Sequence, residues 1–378
     1  MQSNLSITVT LVVLLLFFAR PSSVLAEPGS SFSSSSRSKE PKPILSDGFF
    51  LGGPISAAEI SRDFSKIVIA EMRLFGIDLH SIENGERLAS LDGFGKDVVV
   101  NGLRFSDNGK RIAASAFHGN AVKLYDDKGM KIKELAVPEG KAGIASLSNF
   151  FLKDSKIAAG LGDGSVVAWD VESGNVVREM SFGSGPLLTL AIDEDGRQMF
   201  FNLETDKAIG VSDLAAWTSN NEEQQHHATF TKLNWDRECE MPRNGRIFRT
   251  WYIVGCEDKT ARLYDAQSRE LRRVFDRELP GLTFTFNHDG DRLVIGGFDA
   301  TTEVWDLKTM TLVDSLGFLN IRYPILAVGI APNSSVVAVA AKNRVKHWTL
   351  RGTETSTTKK TTEECGEVEK DKTECKAN

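Results

Sequence analysis

The chain consists largely of short stretches in which hydrophobic and polar residues alternate, separated by turns rich in Gly, Asp and Asn. Alternation with a period of two is typical of β-strands, and no long stretch places apolar residues at helical spacing. In one clear unit, residues 282–286 predict an inner strand and residues 287–290 a tight turn, because Asp-Gly accepts positive φ angles. Strands at 292–297 and 302–305 follow, and an outer strand begins at 312–314.

A short motif recurs seven times where a hydrophobic strand gives way to a turn. It pairs an aromatic or polar residue with Asp or a small residue. The copies are His80-Ser81, Tyr125-Asp126, Trp169-Asp170, Ser212-Asp213, Tyr264-Asp265, Trp305-Asp306 and Trp348-Thr349, and consecutive copies lie 41 to 52 residues apart. A period of roughly 40–45 residues with a Trp-Asp signature is typical of a four-stranded propeller blade. The sequence therefore predicts an all-β, seven-bladed β-propeller, a fold that hosts many unrelated functions.

These repeats resemble the WD40 repeat family over about residues 43–352. The dipeptides that match the family's signature are Tyr125-Asp126, Trp169-Asp170, Tyr264-Asp265 and Trp305-Asp306. The resemblance implies that an Asp in a blade turn helps to fix the blade through a hydrogen-bond network. The matching positions are Asp163, Asp258 and Asp299. Because the Gly-His dipeptide that usually completes the network is missing from every blade, the repeats are degenerate and the full network is not expected.

The seventh blade is one strand short. Residues 325–330, 336–340 and 345–350 predict three strands, after which the chain becomes polar. We predict that residues 43–50, which precede the first blade, supply the fourth strand. A strand from the other end of the chain closes the ring and removes an open sheet edge.

Residues 1–26 resemble a cleaved secretory signal peptide. Residues 7–18 are apolar except for two Thr, and small residues precede a cleavage site before Glu27. An uncleaved anchor is the alternative, because residues 1–19 lack charged side chains and approach the length that spans a bilayer. Arg20 would then hold the propeller in the cytosol. Membrane association is expected only if this segment stays uncleaved.

Two polar segments flank the predicted propeller, which occupies residues 43–352. Residues 27–42 form a Ser-rich linker, and residues 353–378 form a tail with many Thr and charged residues. Both segments are too poor in apolar residues to offset the entropy of ordering, so we expect both to be disordered.

Composition and motifs limit the range of possible functions. The net charge is −6, which excludes a general nucleic-acid-binding domain of basic character. The chain has no Gly-x-Ser-x-Gly elbow, no phosphate-binding Gly loop and no His-Glu-x-x-His motif. We therefore expect a monomeric, non-enzymatic protein without a catalytic, cofactor or metal site, whose partners are proteins and not nucleic acids.

The four cysteines favour disulfides if the protein is secreted. We place Cys239 at the tip of the blade-five hairpin and Cys256 at the far end of its second strand, roughly 30 Å apart at about 3.3 Å per residue. Cys256 is therefore expected to be a buried thiol, with Cys239 free or paired with the tail. Cys365 pairs most easily with Cys375 within the tail. Asn333 begins an Asn-Ser-Ser sequon in the first turn of blade seven and is a candidate N-glycosylation site.

Blade five is the longest repeat, with a spacing of 52 residues. We assign its extra residues to a loop at 222–227 and to a long hairpin at 237–246. From residue 243 to residue 277 the chain carries nine basic and five acidic residues. Because long loops on a rigid scaffold often bind partners, this region is the candidate interaction surface. Its candidate partner-binding residues are Arg243, Arg246 and Arg249.

The leading hypothesis is a WD40-like scaffold for protein–protein interaction that is secreted or resides in the lumen of the endoplasmic reticulum. The first alternative is a guanine-nucleotide exchange factor for a small GTPase, anchored at the endoplasmic reticulum membrane with a cytosolic propeller. Such factors resemble this chain in size and blade count, but they carry a C-terminal span and a Gly-rich loop where this chain has only Gly52-Gly53. The second alternative is a secretory-space propeller enzyme with carboxylates or His gathered at the central channel.

Overall fold

The fold follows from a computed structural model of the chain. It describes residues 45–46, 54–72, 76–95, 98–205, 209–214, 230–232, 239, 243–277, 280–317, 323–331, 335–340 and 344–350. Within these ranges the secondary structure consists of 28 β-strands and no helix, as the alternating pattern predicts.

The strands mostly contain four to seven residues. In chain order they are β1 (Leu45–Ser46), β2 (Ile55–Ile60), β3 (Lys66–Glu71), β4 (Ile77–Ser81), β5 (Arg87–Leu91), β6 (Val100–Phe105), β7 (Arg111–Ala116), β8 (Ala121–Asp126), β9 (Lys131–Ala136), β10 (Ile144–Leu147), β11 (Lys156–Leu161), β12 (Ser165–Asp170), β13 (Val176–Ser181), β14 (Leu187–Ile192), β15 (Gln198–Leu203), β16 (Gly210–Asp213), β17 (Thr231–Lys232), β18 (Arg243–Phe248), β19 (Trp251–Gly255), β20 (Thr260–Asp265), β21 (Leu271–Asp276), β22 (Gly281–Phe286), β23 (Arg292–Gly297), β24 (Thr301–Asp306), β25 (Thr311–Gly317), β26 (Ile325–Ile330), β27 (Ser335–Ala340) and β28 (Arg344–Thr349).

These described strands form seven antiparallel sheets of four strands each, which confirms the predicted propeller. Blades one to six consist of consecutive strands, from β2–β5 in blade one to β22–β25 in blade six. The first strand of each blade contacts the first strand of the next, and β2 contacts both β6 and β26, so the blades close into a ring. We call the strands of a blade A to D, from the central channel outward.

Blade seven is completed by a strand from the other end of the chain. β1 pairs with β28 in antiparallel register, with Leu45 opposite Trp348 and Ser46 opposite His347. This pairing confirms the predicted closure, and it supplies strand D of a sheet whose other members are β26, β27 and β28. The Trp348 side chain is buried beneath this junction, in a core cluster shared with blade six.

The two faces of the propeller differ in their turns. Because A, B, C and D alternate in direction, the A–B and C–D turns lie on one face, which we call the AB face. The B–C turns and the D–A connections lie on the other, which we call the BC face. On the AB face the residue after strand C bonds to the A–B turn of the same blade, as in Ile82 N–H to the Ser65 carbonyl at 3.0 Å and Leu307 N–H to the Asp291 carbonyl at 2.8 Å. These repeated bonds hold the described turns of the AB face in place.

The recurring dipeptides mark the ends of the third strands in the structure, as their position before a turn predicts. In blade three the aromatic member also bonds to the neighbouring blade: the buried Trp169 donates its indole N–H to the Ala136 carbonyl of blade two at 2.9 Å. Their Asp fixes the following turn, since Asp170 accepts from the Ser173 N–H at 2.7 Å and from Lys156 Nζ at 2.7 Å. These bonds hold the pKa of Asp170 well below its usual range, with Lys156 as the largest cause and the Ser173 N–H as the next.

The predicted layout of blade five is wrong. The strand at Thr231–Lys232 is the outer strand of blade four, because it pairs with β16. Blade five begins at β18, and its first hairpin turns tightly at Arg249-Thr250 rather than through a long loop. The extra residues of this repeat therefore lie between β16 and β18, before and after β17 in the sequence.

The predicted thiol state of Cys256 is also wrong. Cys239 and Cys256 form a disulfide with their Cα atoms 5.2 Å apart, and both are fully buried. Cys239 precedes β18 and Cys256 follows β19, so the antiparallel hairpin returns the chain to its starting point. The estimate of roughly 30 Å failed because it placed Cys239 at the tip of this hairpin instead of at its base.

Candidate functional site

Exposed apolar side chains concentrate at the edge of the AB face. In the described part of the chain, eight large apolar side chains are exposed, and six of them lie where a D strand begins: Leu88, Met130, Ile132, Val176, Leu271 and Leu312. The most exposed are Met130 at 68% and Ile132 at 51%. A contiguous exposed apolar patch indicates a contact surface, and of these six Leu88, Met130 and Ile132 lie on the neighbouring blades one and two.

Blades one and two join closely at this edge. The C–D turn of blade two packs against β5, where Gly129 approaches Ala89 and Leu91 of blade one. The turn is held in place by Lys66, whose Nζ donates to the Asp127 carbonyl at 3.0 Å. Met130 follows this turn directly and Leu88 precedes Ala89 in β5, so the exposed apolar side chains of the two blades flank one junction.

A groove of about 540 Å³ opens on the AB face where blade seven meets blade one. Its walls include Phe64 and Ile82 from turns of blade one, Leu88 from β5 and His347 from β28. The Phe64 ring lies 5.9 Å from the His347 ring. Burial lowers the pKa of His347, which favours its neutral form at neutral pH and adds to the apolar character of the groove.

The mouth of the central channel on the AB face is bridged by Arg62. Its guanidinium lies 2.8 Å from the Asp107 carboxylate of blade two and 3.9 Å from the Glu194 carboxylate of blade four. It also lies 5.3 Å from the centre of the Phe248 ring of blade five. Burial raises the pKa of Glu194, and the nearby Asp107 raises it further. One side chain thus contacts three other blades at the axis.

Deeper in the channel, charged side chains from three blades meet. Glu59 of blade one lies 3.3 Å from Arg246 of blade five and 4.0 Å from Arg104 of blade two. Arg104 also donates to the Leu147 carbonyl of blade three at 3.3 Å. They line a cavity of about 110 Å³ whose remaining walls are mainly apolar side chains and neutral polar groups.

The structure does not gather the candidates Arg243, Arg246 and Arg249 on one surface. Arg243 begins β18 at the BC face, and Arg246 projects into the channel toward Glu59. Arg249 lies in the A–B turn on the AB face, where its guanidinium is 5.3 Å from the Phe248 ring centre and donates to the Asp289 carbonyl at 3.0 Å. Of the three, Arg249 is the one that lies on the AB face.

The three blade-turn aspartates occupy B–C turns with a shared geometry. Each accepts the backbone N–H of the residue two positions later at 3.0 Å, together with that residue's hydroxyl: Asp163 from Ser165, Asp258 from Thr260 and Asp299 from Thr301. Arginines add to two of these turns. Arg262 pairs with Asp258, and the buried Arg277 lies 3.5 Å from Asp299.

The remaining predicted sites, Asn333, Cys365 and Cys375, lie outside the described residues. Within the described ranges, no group of three or more His, Cys, Asp or Glu side chains is placed to hold a metal ion. No helix among those residues is long and apolar enough to cross a membrane.

Sequence reasoning missed Glu59 and Arg104. A signal was present, because each is a single charged residue next to the end of an otherwise uncharged inner strand, Ile55–Ile60 and Val100–Phe105. A charge at that position is costly unless it is paired or faces a polar channel. The two residues therefore could have been identified as candidates, although not as neighbours.

No protein-family model matches the chain. Among curated proteins, it is 25% identical over 158 residues to the U5 small nuclear ribonucleoprotein 40 kDa protein of Dictyostelium discoideum, a match covering 40% of each chain. It is 27% identical over 215 residues to pre-mRNA-processing factor 19 of Oryza sativa subsp. japonica, covering 56% of this chain and 38% of that protein. It is 36% identical over 61 residues to target of rapamycin complex subunit LST8 of Rattus norvegicus, covering 16% of this chain and 19% of that protein.

The chain thus spans at most 40% of the length of these three relatives. None of the three names describes a secreted protein or a nucleotide-exchange factor. All three are WD40-repeat proteins, and two of the names place the protein in a ribonucleoprotein or a multisubunit complex. The sevenfold motif and the ring of seven four-stranded blades show that the chain is a seven-bladed β-propeller, and its sequence is similar to those of WD40-repeat proteins.

Proposed function

We propose that this protein is a non-enzymatic scaffold that binds protein partners through the AB face of its propeller, in the lumen of the secretory pathway or outside the cell. The main support for the AB face as the docking surface is the exposed apolar side chains at its edge, of which Met130 and Ile132 are the most exposed. The rigid turns beneath them lower the entropic cost of binding, because little backbone has to be ordered. Arg249 adds a positive charge near the channel mouth on the same face.

The buried disulfide supports the proposed location in the secretory pathway or outside the cell. A disulfide between Cys239 and Cys256 is typical of proteins that fold in an oxidising environment and rare in cytosolic proteins. The apolar segment at residues 1–26 fits entry into the same pathway. One relative is named as a small nuclear ribonucleoprotein component, so the proposed compartment rests on this chain's own cysteines and N-terminal sequence.

Partner capture with matched surface variants tests the docking face. Full-length wild type, Met130→Glu and Val99→Glu are expressed with the same tag, and their bound proteins are quantified by mass spectrometry. Val99 is the control because it is also exposed but lies next to a D–A connection on the BC face. We expect Met130→Glu to lose at least tenfold of a specific partner that Val99→Glu retains. Equal retention by both variants would refute the AB face as the docking surface.

Protease protection of microsomes tests the compartment independently of the docking face. We expect the propeller to be protected from protease, shortened at its N-terminus and to migrate differently on non-reducing and reducing gels. A full-length protein that is digested in intact microsomes would refute the luminal proposal. The docking proposal would be unaffected by that result.

A further inference from the structure

We propose that the central channel binds a small oxyanion, a phosphate or a carboxylate, between the guanidinium groups of Arg104 and Arg246. The two arginines belong to blades two and five, which are not neighbours in the ring, so their side chains approach each other across the channel axis. Both line the same cavity of about 110 Å³. This volume accommodates a few water molecules, and hence a small oxyanion rather than a nucleotide.

The two arginines share one nearby carboxylate in this cavity. Two arginines face one carboxylate, that of Glu59, which lies nearer to Arg246 at 3.3 Å than to Arg104 at 4.0 Å. The other carboxylate at the cavity wall, Asp107, lies 2.8 Å from Arg62 at the channel mouth and is neutralised there. Among the described residues, Glu59 is thus the carboxylate that the two arginines share. Burial lowers the pKa of Arg104, Glu59 opposes that effect and Arg246 adds to it, as expected for cations held close together.

The guanidinium groups also retain hydrogen-bonding capacity. Arg104 donates to the carbonyls of Leu103 and Leu147, and Arg246 donates to the Phe284 carbonyl and to Glu59. A guanidinium carries more N–H donors than these bonds use. Its planar fork matches the paired oxygens of a carboxylate or phosphate, and such charge-assisted bonds are strong where water is limited. An oxyanion between the two arginines would accept hydrogen bonds from these donors.

Titration calorimetry with inorganic phosphate on the full-length protein tests the proposal, with sodium chloride at matched ionic strength as the reference. Arg246→Gln should weaken phosphate binding at least tenfold. Glu59→Gln should strengthen it several-fold, because it removes the carboxylate that lies within 4.0 Å of both arginines. Arg272→Gln is the matched control: it removes the same charge from an exposed arginine on β21, which pairs with Asp265 and Glu270. It should bind phosphate like the wild type.

Several results would overturn the proposal. These are no phosphate binding by the wild type beyond the chloride reference, unchanged binding by Arg246→Gln, or equal losses in Arg246→Gln and Arg272→Gln. If Arg246→Gln does not fold, Glu59→Gln decides, since a folded variant that binds no more tightly than the wild type contradicts the charge argument. Acetate distinguishes the two sources of the oxyanion: competition with phosphate supports a carboxylate ligand, and binding of phosphate alone supports a phosphate ligand.

Discussion

Removal of the Cys239–Cys256 disulfide should destabilise the whole propeller. The bond spans 17 positions and holds the connection between blades four and five at the base of the β18–β19 hairpin. Closing a loop of this length in the unfolded chain corresponds to about 3 kcal/mol of stability in the chain-entropy model. For a domain of this size, about 3 kcal/mol corresponds to a fall in Tm of roughly 5 °C. Both cysteines lie in a core cluster that joins the two blades, so the loss should be global and not confined to a loop.

Thermal unfolding with and without reductant measures this effect. The variant Cys239→Ala plus Cys256→Ala should show the same reduced Tm with and without reductant. Wild type should fall to the variant's Tm when it is unfolded in reductant. A second variant, Cys365→Ser plus Cys375→Ser, shows whether the tail cysteines contribute to the fall in Tm. We expect its Tm to fall in reductant as much as that of the wild type.

Two results would refute this reasoning. The first is modification of Cys239 and Cys256 by a thiol reagent in unfolded, unreduced protein, because bonded sulfurs do not react. The second is an unchanged Tm in the double alanine variant. Either result would mean that the base of the β18–β19 hairpin is held by packing alone.

Three further perturbations test the fold. Asp170→Asn should lower the free energy of unfolding by about 1–2 kcal/mol at neutral pH. Because the fold depresses the pKa of Asp170, its carboxylate stabilises the fold above the ordinary carboxyl pKa, and the difference from wild type should shrink in acid. Urea unfolding at two pH values measures this difference. Gly143→Ala should cost about 1–3 kcal/mol, because the added Cβ would lie 2.6 Å from the carbonyl carbon of His118, and its measure is the urea midpoint. Deletion of residues 1–50 should lower Tm by several degrees through loss of β1, whereas deletion of residues 1–42 should not.

Much of this fold could be predicted because its signals are local. Alternating strands, Asp-Gly turns and the dipeptide at the end of strand C each occupy a few consecutive residues, and their repetition fixes the number of blades. The closing strand could be inferred since blade seven ends one strand short. The layout of blade five could not be predicted, because β17 pairs with β16 through only two residues, too few to produce an alternating pattern. The disulfide was missed for the same reason, since its geometry depends on where β18 begins.

The cluster of charged side chains in the central channel could not be predicted, because its residues come together only in the closed ring. Glu59, Arg104 and Arg246 lie in three different blades, and their proximity depends on the curvature of the whole propeller. The side chains of strand A face either the neighbouring blades or the channel. Alternation along the sequence therefore does not show which of them point toward the channel axis. Arg243 and Arg249 are separated by the extended strand β18, since Arg243 begins it at the BC face and Arg249 follows it at the AB face.

Hydrogen–deuterium exchange of the propeller, alone and bound to a partner recovered by the wild type, tests the docking face most directly. We predict slower exchange in the C–D turns and D-strand starts at the edge of the AB face, above all at residues 82–88 and 126–132. Exchange in the B–C turn at residues 117–120 should not change. Protection of that turn with unchanged exchange across the AB face would contradict the account.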